Sequence, residues 1–302
     1  MFSTLIAAVV ALVLGHLAQP LAASVRHYGW FADWLRWLDR SFPEVSFWRT
    51  QWGFAVALLP PVLGVLLFQL ALTEPLYGLV GLAFGIAVLF YTWGPRDLDV
   101  DVDAVMDARD PVTRRAAAAR LWPHGASPSL NGSALVEAVF RNAQRRWFGV
   151  LLWFLLLGPC GALLYRLTAR AVEDESGSAL PAENASGARL LLALLDWPVA
   201  QLMTLALAVV GNFDTVLNAW REAGGASFNL KRRFLGAVAR ASVRSELAEE
   251  VADYASEPGV PLPPSVVLGE LPELRDAMSL IWRSLLVWLA VLAMFVIAGW
   301  VS

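Results

Sequence analysis

The sequence predicts an all-α fold: a multi-pass membrane helical bundle of about six spans, with helical segments on the cytoplasmic side. Three observations carry this. The 302 residues are 58% hydrophobic and only 16% charged, against about 25% charged in soluble domains, and the mean hydropathy is +0.56. Apolar, charge-free runs recur along the chain. Basic residues gather in alternate connecting segments.

The runs come in order. Met1–Val25 carries no charge and contains His16. Leu21-Ala22-Ala23-Ser24 resembles a signal-cleavage site, but no Lys or Arg precedes the apolar core, so a retained helix is expected. Trp52–Thr73, with Pro60-Pro61 inside, and Pro75–Trp93 are separated by one acidic residue and read as a hairpin. Trp147–Tyr165 is 19 residues long, enough to cross a bilayer core at about 1.5 Å per residue. Gly158-Pro159 interrupts it near its middle. Trp197–Phe213 is shorter, and Leu190–Leu195 reads as an interfacial or re-entrant lead-in. Ser284–Val301 is the last. Many of the 14 tryptophans lie near the ends of these runs, among them Trp48, Trp52, Trp93, Trp147, Trp197, Trp282 and Trp300, as indoles do at membrane interfaces.

Six spans place segments 26–51, 94–146 and 214–283 on one side. These hold 20 of the 23 basic residues, so the positive-inside rule assigns them to the cytoplasm and both termini to the opposite side of the cell inner membrane. The whole chain, 1–302, reads as one integral membrane domain with cytoplasmic helical segments at 94–146 and 214–283. Val112–Leu121 reads as a helix ended by Trp122-Pro123-His124-Gly125. A second helix starts at Ser127-Pro128 or Asn131 and runs through Glu137 into the fourth span. Phe228–Glu250 reads as a helix with an apolar stripe and basic residues Lys231, Arg232, Arg233, Arg240 and Arg244. It suits the anionic inner leaflet or packing on its neighbours. Glu257–Pro264 is a rigid loop.

The net charge of −3 argues against a general nucleic-acid binder. Cys160 is the single cysteine, and His16, His27 and His124 show no ligand spacing, so no metal or cofactor is expected. Asp97, Asp99, Asp101 and Asp103 alternate. In an extended strand they would line one face and suit Mg²⁺ or Ca²⁺, but the glycine and bidentate Glu of a calcium loop are missing. The preferred reading is a solvated acidic turn that supplies helix caps, with Asp97 beside Arg96 the exception.

The candidate ligand site lies at the cytoplasmic membrane edge. Arg141, Asn142 and Arg145 precede the fourth span, and an amide flanked by guanidinium groups can grip an anionic group. Asp97 follows the third span. Asn212 and Asp214 end the fifth, where polar residues tend to face a cavity or a partner. Asp196 reads as an N-cap with Pro198 in the first turn. No phosphate loop, zinc-protease motif or serine elbow is present, and no catalytic residue is assigned.

Asn142, Trp153, the run Gly158-Pro159-x-Gly161-Ala162-Leu163-x-Tyr165-Arg166, Arg96-Asp97-Leu98 and Asp196-Trp197-Pro198 together resemble the signature of the CobD/CbiB membrane family of cobalamin biosynthesis. That family joins an aminopropanol group to a corrinoid in an amide bond. The resemblance spans most of the chain in order, though only these short motifs are specific. Arg141 and Arg145 stand where the synthases carry acidic residues, and Gln19-Pro20 stands in place of a His-Pro. Residues 215–276, led by Gly211-Asn212-Phe213-Asp214, are more similar to the AmpE branch of the same superfamily, the regulatory signalling modulators. That resemblance implies an inner-membrane signalling protein linked to β-lactamase induction and peptidoglycan recycling rather than an enzyme. Its partners would be membrane lipids, a small anionic ligand of muropeptide or corrinoid type, and in one arrangement further copies of itself. The alternative it implies is an adenosylcobinamide-phosphate synthase-like ligase.

Overall fold

The computed structural model describes residues 2–17, 24–43, 46–72, 78–94, 97–173, 180–227, 234–256 and 271–298. Gln19-Pro20, Arg96, Asp174, Glu175, Lys231, Arg232, Arg233, the 257–264 loop and residues 299–302 lie outside them. The described residues are helical, with no strand among them. Thirteen α-helices are described: α1 (Phe2–Leu17), α2 (Gly29–Ser41), α3 (Gly53–Ala71), α4 (Gly78–Thr92), α5 (Leu98–Met106), α6 (Pro111–Ala118), α7 (Gly132–Ala143), α8 (Gly149–Leu157), α9 (Pro159–Glu173), α10 (Ala182–Val210), α11 (Phe213–Glu222), α12 (Phe234–Ser256) and α13 (Pro272–Ile297). Within the single domain expected from the sequence, contacts separate into two compact units. The first is 1–97, 145–197 and 292–302; the second is 98–144 and 198–291.

Three helices are long and apolar enough to cross a membrane: α3, α10 and α13. Leu5–Gly15 and Gly78–Thr92 are shorter apolar helices. The fourth expected span is different, because the chain turns back on itself at Gly158. That residue adopts φ +72°, a conformation that costs glycine little. Pro159, which has no N–H to satisfy, then opens α9. A Cβ on Gly161 would run into the Trp153 carbonyl, and one on Gly149 would run into the Tyr165 ring. Those pairs can meet only if α8 and α9 lie antiparallel in close contact. With nine residues, α8 rises about 14 Å, roughly half a bilayer core. Composition marked this stretch as lipid-soluble, and the glycine–proline break is where its path reverses. Arg166 and Arg170 accordingly lie at the same end of the hairpin as Arg145 and Arg146, where a straight span would have put them on opposite sides.

In the first unit α1 packs on α4 and α9 packs on α3 and α4. Ala7, Ala8 and Ala11 are buried, and small residues let membrane helices approach closely. The core joins Phe31, Leu35 and Leu38 of α2 to Trp48, Phe54 and Leu58 and to Leu163 and Leu167 of α9.

In the second unit, Asp110 caps α6, accepting from Val112 N at 3.0 Å and Thr113 N at 2.9 Å, and Asn131 caps α7, accepting from Ser133 N at 3.0 Å. α12 packs on α7 and α11, with Arg240 paired to Glu137. The alternating aspartates form no strand. α5 is helical from Leu98, with Leu98, Val102 and Val105 buried, because an apolar residue at every third or fourth position builds a helix face. Asp99 accepts from Trp282 Nε1 at 3.0 Å, and Asp101 is buried on another side of the helix.

Candidate functional site

The open end of the α8–α9 hairpin holds a buried, arginine-rich cluster in the first unit. It starts at a π-helical turn, Gln144–Phe148. Such a wide turn displaces side chains from regular helical spacing and recurs at functional sites. Here Gln144, Arg145, Arg146, Trp147 and Phe148 are all buried.

Arg145 is the hub. Its Nη1 meets Glu173 Oε1 at 2.7 Å and its Nε meets Asp196 Oδ2 at 3.4 Å. Tyr165, fully buried, donates its hydroxyl to Asp196 Oδ1 at 2.6 Å. Asp196 is therefore no N-cap. α10 begins at Ala182 and passes unbroken through Asp196 with Pro198 in its interior, so the Leu190–Leu195 run is part of one long helix. Pro198 removes a helix hydrogen bond at this level, and Trp153 Nε1 donates nearby to the Leu195 carbonyl at 3.2 Å. Burial works most strongly on the Glu173 carboxylate and pushes it up, but the guanidinium groups of Arg145, Arg166 and Arg146, with the Arg145 hydrogen bond, together hold it below its ordinary value.

Two more arginines are buried with it. Arg166 is 1% exposed. It donates weakly to the Arg145 carbonyl at 3.5 Å and sits over the Tyr28 ring at 6.0 Å, while its Nε and Nη2 have no hydrogen-bond partner. Arg26 donates Nε to Phe90 O and Nη1 to Gly94 O, both at 2.9 Å, and its Nη2 has no partner. Burial, then the like charge of Arg166, lowers the Arg26 pKa to about 10; Asp97 acts in the opposite direction. Arg170 stacks on Tyr28 at 4.6 Å. Burial pushes the Tyr28 phenol up to about 12. Arg146 meets Gly94, whose N–H donates to the Arg146 carbonyl at 3.3 Å. Five guanidinium groups (Arg26, Arg145, Arg146, Arg166 and Arg170) thus share this region with the carboxylates of Asp97, Glu173 and Asp196. Buried charge is costly unless compensated, and the unpartnered N–H groups of Arg166 and Arg26 are suited to an anion.

The six residues expected from the sequence divide between the units. Arg145 and Asp97 belong to the first, within or beside the cluster. Arg141, Asn142, Asn212 and Asp214 belong to the second. Asn142 donates Nδ2 to Leu121 O and Ala138 O, both at 2.8 Å, tying α7 to the end of the 3-10 turn Ala119–Leu121. Asn212 caps α11 through Thr215 N at 3.0 Å; it and Asp214 are exposed. Sequence reasoning did not place Arg26, Tyr28 or Glu173 at a site. The available signal was the pair Tyr165-Arg166, an aromatic and a cation directly at the end of a charge-free run. No grouping of three or more His, Cys, Asp or Glu suited to a metal occurs among the described residues.

Fold and site together define an all-α membrane protein. Compared with known proteins, the chain matches no family model, no curated sequence and no solved structure.

Proposed function

We propose that this protein is an inner-membrane signalling protein of the AmpE type, which senses a small anionic ligand through its buried arginine cluster. The single observation that carries the reading is Arg166, whose Nε and Nη2 lack partners among the described residues at 1% exposure. An oxyanion would supply the missing acceptors. Four residues of the motifs that resemble the CobD/CbiB superfamily, Asp97, Tyr165, Arg166 and Asp196, lie in or beside this cluster, which supports a role for it in whatever this scaffold does. The link to β-lactamase induction and peptidoglycan recycling comes from the AmpE-like resemblance of residues 215–276. Deletion of the gene is expected to shift β-lactamase induction and leave cobalamin synthesis intact; unchanged induction counts against the reading.

The same convergence of motif residues favours one alternative, a cobalamin-type amide ligase. Tyr165 and Asp196 share a proton donor and acceptor at 2.6 Å, as acid–base chemistry requires. Purified, folded protein that forms no amide from a corrinoid acid and aminopropanol phosphate removes this alternative.

A further inference from the structure

Helix α2 has three faces. At about 3.6 residues per turn, Phe31, Leu35 and Leu38 share one side and are buried in the core. Asp33, Arg36 and Arg40 share another and are exposed. Trp30, Trp34 and Trp37 form a third, between the other two. Core packing does not account for that indole face: Trp30 is 43% and Trp37 56% exposed. Trp34 and Trp37 stack with centroids 5.1 Å apart and planes 15° apart.

This face and the proline pair of α3 enclose a groove of about 480 Å³ lined by Trp30, Asp33, Trp34, Trp37, Pro60 and Pro61. The volume is that of a small-molecule site. Two of the wall indoles are anchored by hydrogen bonds. Pro61 has no N–H, so the Ala57 carbonyl lacks its helical donor, and Trp34 Nε1 takes that carbonyl at 3.0 Å. Trp30 Nε1 donates to Tyr91 Oη at 2.7 Å. Asp33, the polar wall residue, is paired with Arg36 at 2.5 Å, so the groove offers little to a cationic ligand.

We propose that this groove holds one acyl chain of a membrane phospholipid, with the indole face of α2 lying in the boundary between headgroups and hydrocarbon. The occupant follows from what the groove adjoins. α3 is long and apolar enough to cross a membrane, and beyond the prolines its Leu63, Leu67 and Phe68 are exposed, at helical spacings that put them on the side of Pro60 and Pro61. That apolar side runs on from the proline wall of the groove. Trp52 and Phe47, 66% and 60% exposed, continue the aromatic band at the start of α3, where interfacial aromatics belong. The charged third face keeps contact with water, as in interfacial helices.

The test uses the full chain in nanodiscs of phosphatidylethanolamine and phosphatidylglycerol, with and without bromine on the acyl chains. The Trp37 emission is taken as the difference between the native protein and Trp37→Phe, a substitution at an exposed ring. Loss of most of that emission with brominated chains, and little loss with aqueous iodide, is the expected result. Iodide quenching with no effect of bromine overturns the proposal. A second measurement places Trp37→Cys in the same nanodiscs and cross-links it. Disulfide dimers at this position mean that a second copy covers the face, which also overturns it; their absence agrees with lipid.

Discussion

Gln69 bridges the backbone break beside Cys160: its Oε1 accepts from Cys160 N and its Nε2 donates to Leu157 O, each at 3.2 Å. The first free N–H of α9 and the last carbonyl of α8, which also accepts from Cys160 Sγ at 3.1 Å, thereby meet one side chain from α3. In a membrane, where water cannot do this, such groups are expensive to leave open. Gln69→Leu leaves the Cys160 N–H unpaired and is expected to destabilise the protein by about 1–3 kcal/mol. Unfolding in mixed detergent measures it, and a change within error would show that the hairpin tip is reached by water.

Close approach within the hairpin makes a second prediction. Gly161→Ala puts a methyl group into the Trp153 carbonyl, whereas Gly64, in α3, has nothing within 4 Å of its Cβ position. Overpacking of this kind costs about 1–3 kcal/mol. Gly161→Ala is expected to lose that much stability, and Gly64→Ala is expected to be neutral or slightly stabilising.

Arg145 stands between two carboxylates, so removing it exposes both. Arg145→Met alone is expected to cost about 3–5 kcal/mol, the penalty of an uncompensated buried charge. Combining it with Glu173→Gln and Asp196→Asn is expected to recover most of that loss. Failure of the triple variant to recover would mean that packing of the arginine stem, rather than its charge, is what the site needs.

Glu173 sets a pH dependence. Its folded-state value lies below the unfolded one because Arg145, Arg166 and Arg146 together outweigh burial. Its contribution is therefore complete above the unfolded value, about 4.3, and is lost as pH falls through that value toward the folded one. Stability measured from neutral pH downward is expected to fall in this acid range, and Glu173→Gln is expected to flatten that part of the curve.

The anion reading predicts ligand-linked stabilisation. A multivalent carboxylate or phosphate ester at about 100 times its Kd is expected to stabilise the native protein by about 2.7 kcal/mol. Arg166→Gln is expected to abolish this shift. Stabilisation that persists in Arg166→Gln would move the site elsewhere.

The helical, membrane-embedded class was legible in composition and in the length of the apolar runs, because burial in hydrocarbon demands both. One cap was legible too: Asn131, read as a helix start, acts through Ser133 N two residues away, which is a local relation, whereas Asn212, expected at the ligand site, is the cap of α11. Arg145 and Asp97 were recognisable because each stands near the end of a charge-free run. The rest depended on distance. Asp196 looked like a cap in its own sequence window, and only the arrival of Tyr165 and Arg145 from other helices made it a buried acceptor. Asn142 looked like a ligand-gripping amide, but its Nδ2 is engaged by two carbonyls, one of them 21 residues away.

By itself the sequence determined that this chain is built from helices, that several of them belong in lipid, and that cationic residues gather at the ends of the fourth apolar run. Only the tertiary structure decided that this run folds back on itself. A local pattern of glycine and proline permits a reversal. Whether the chain takes it depends on a partner for the broken hydrogen bonds, and that partner, Gln69, lies 91 residues before Cys160.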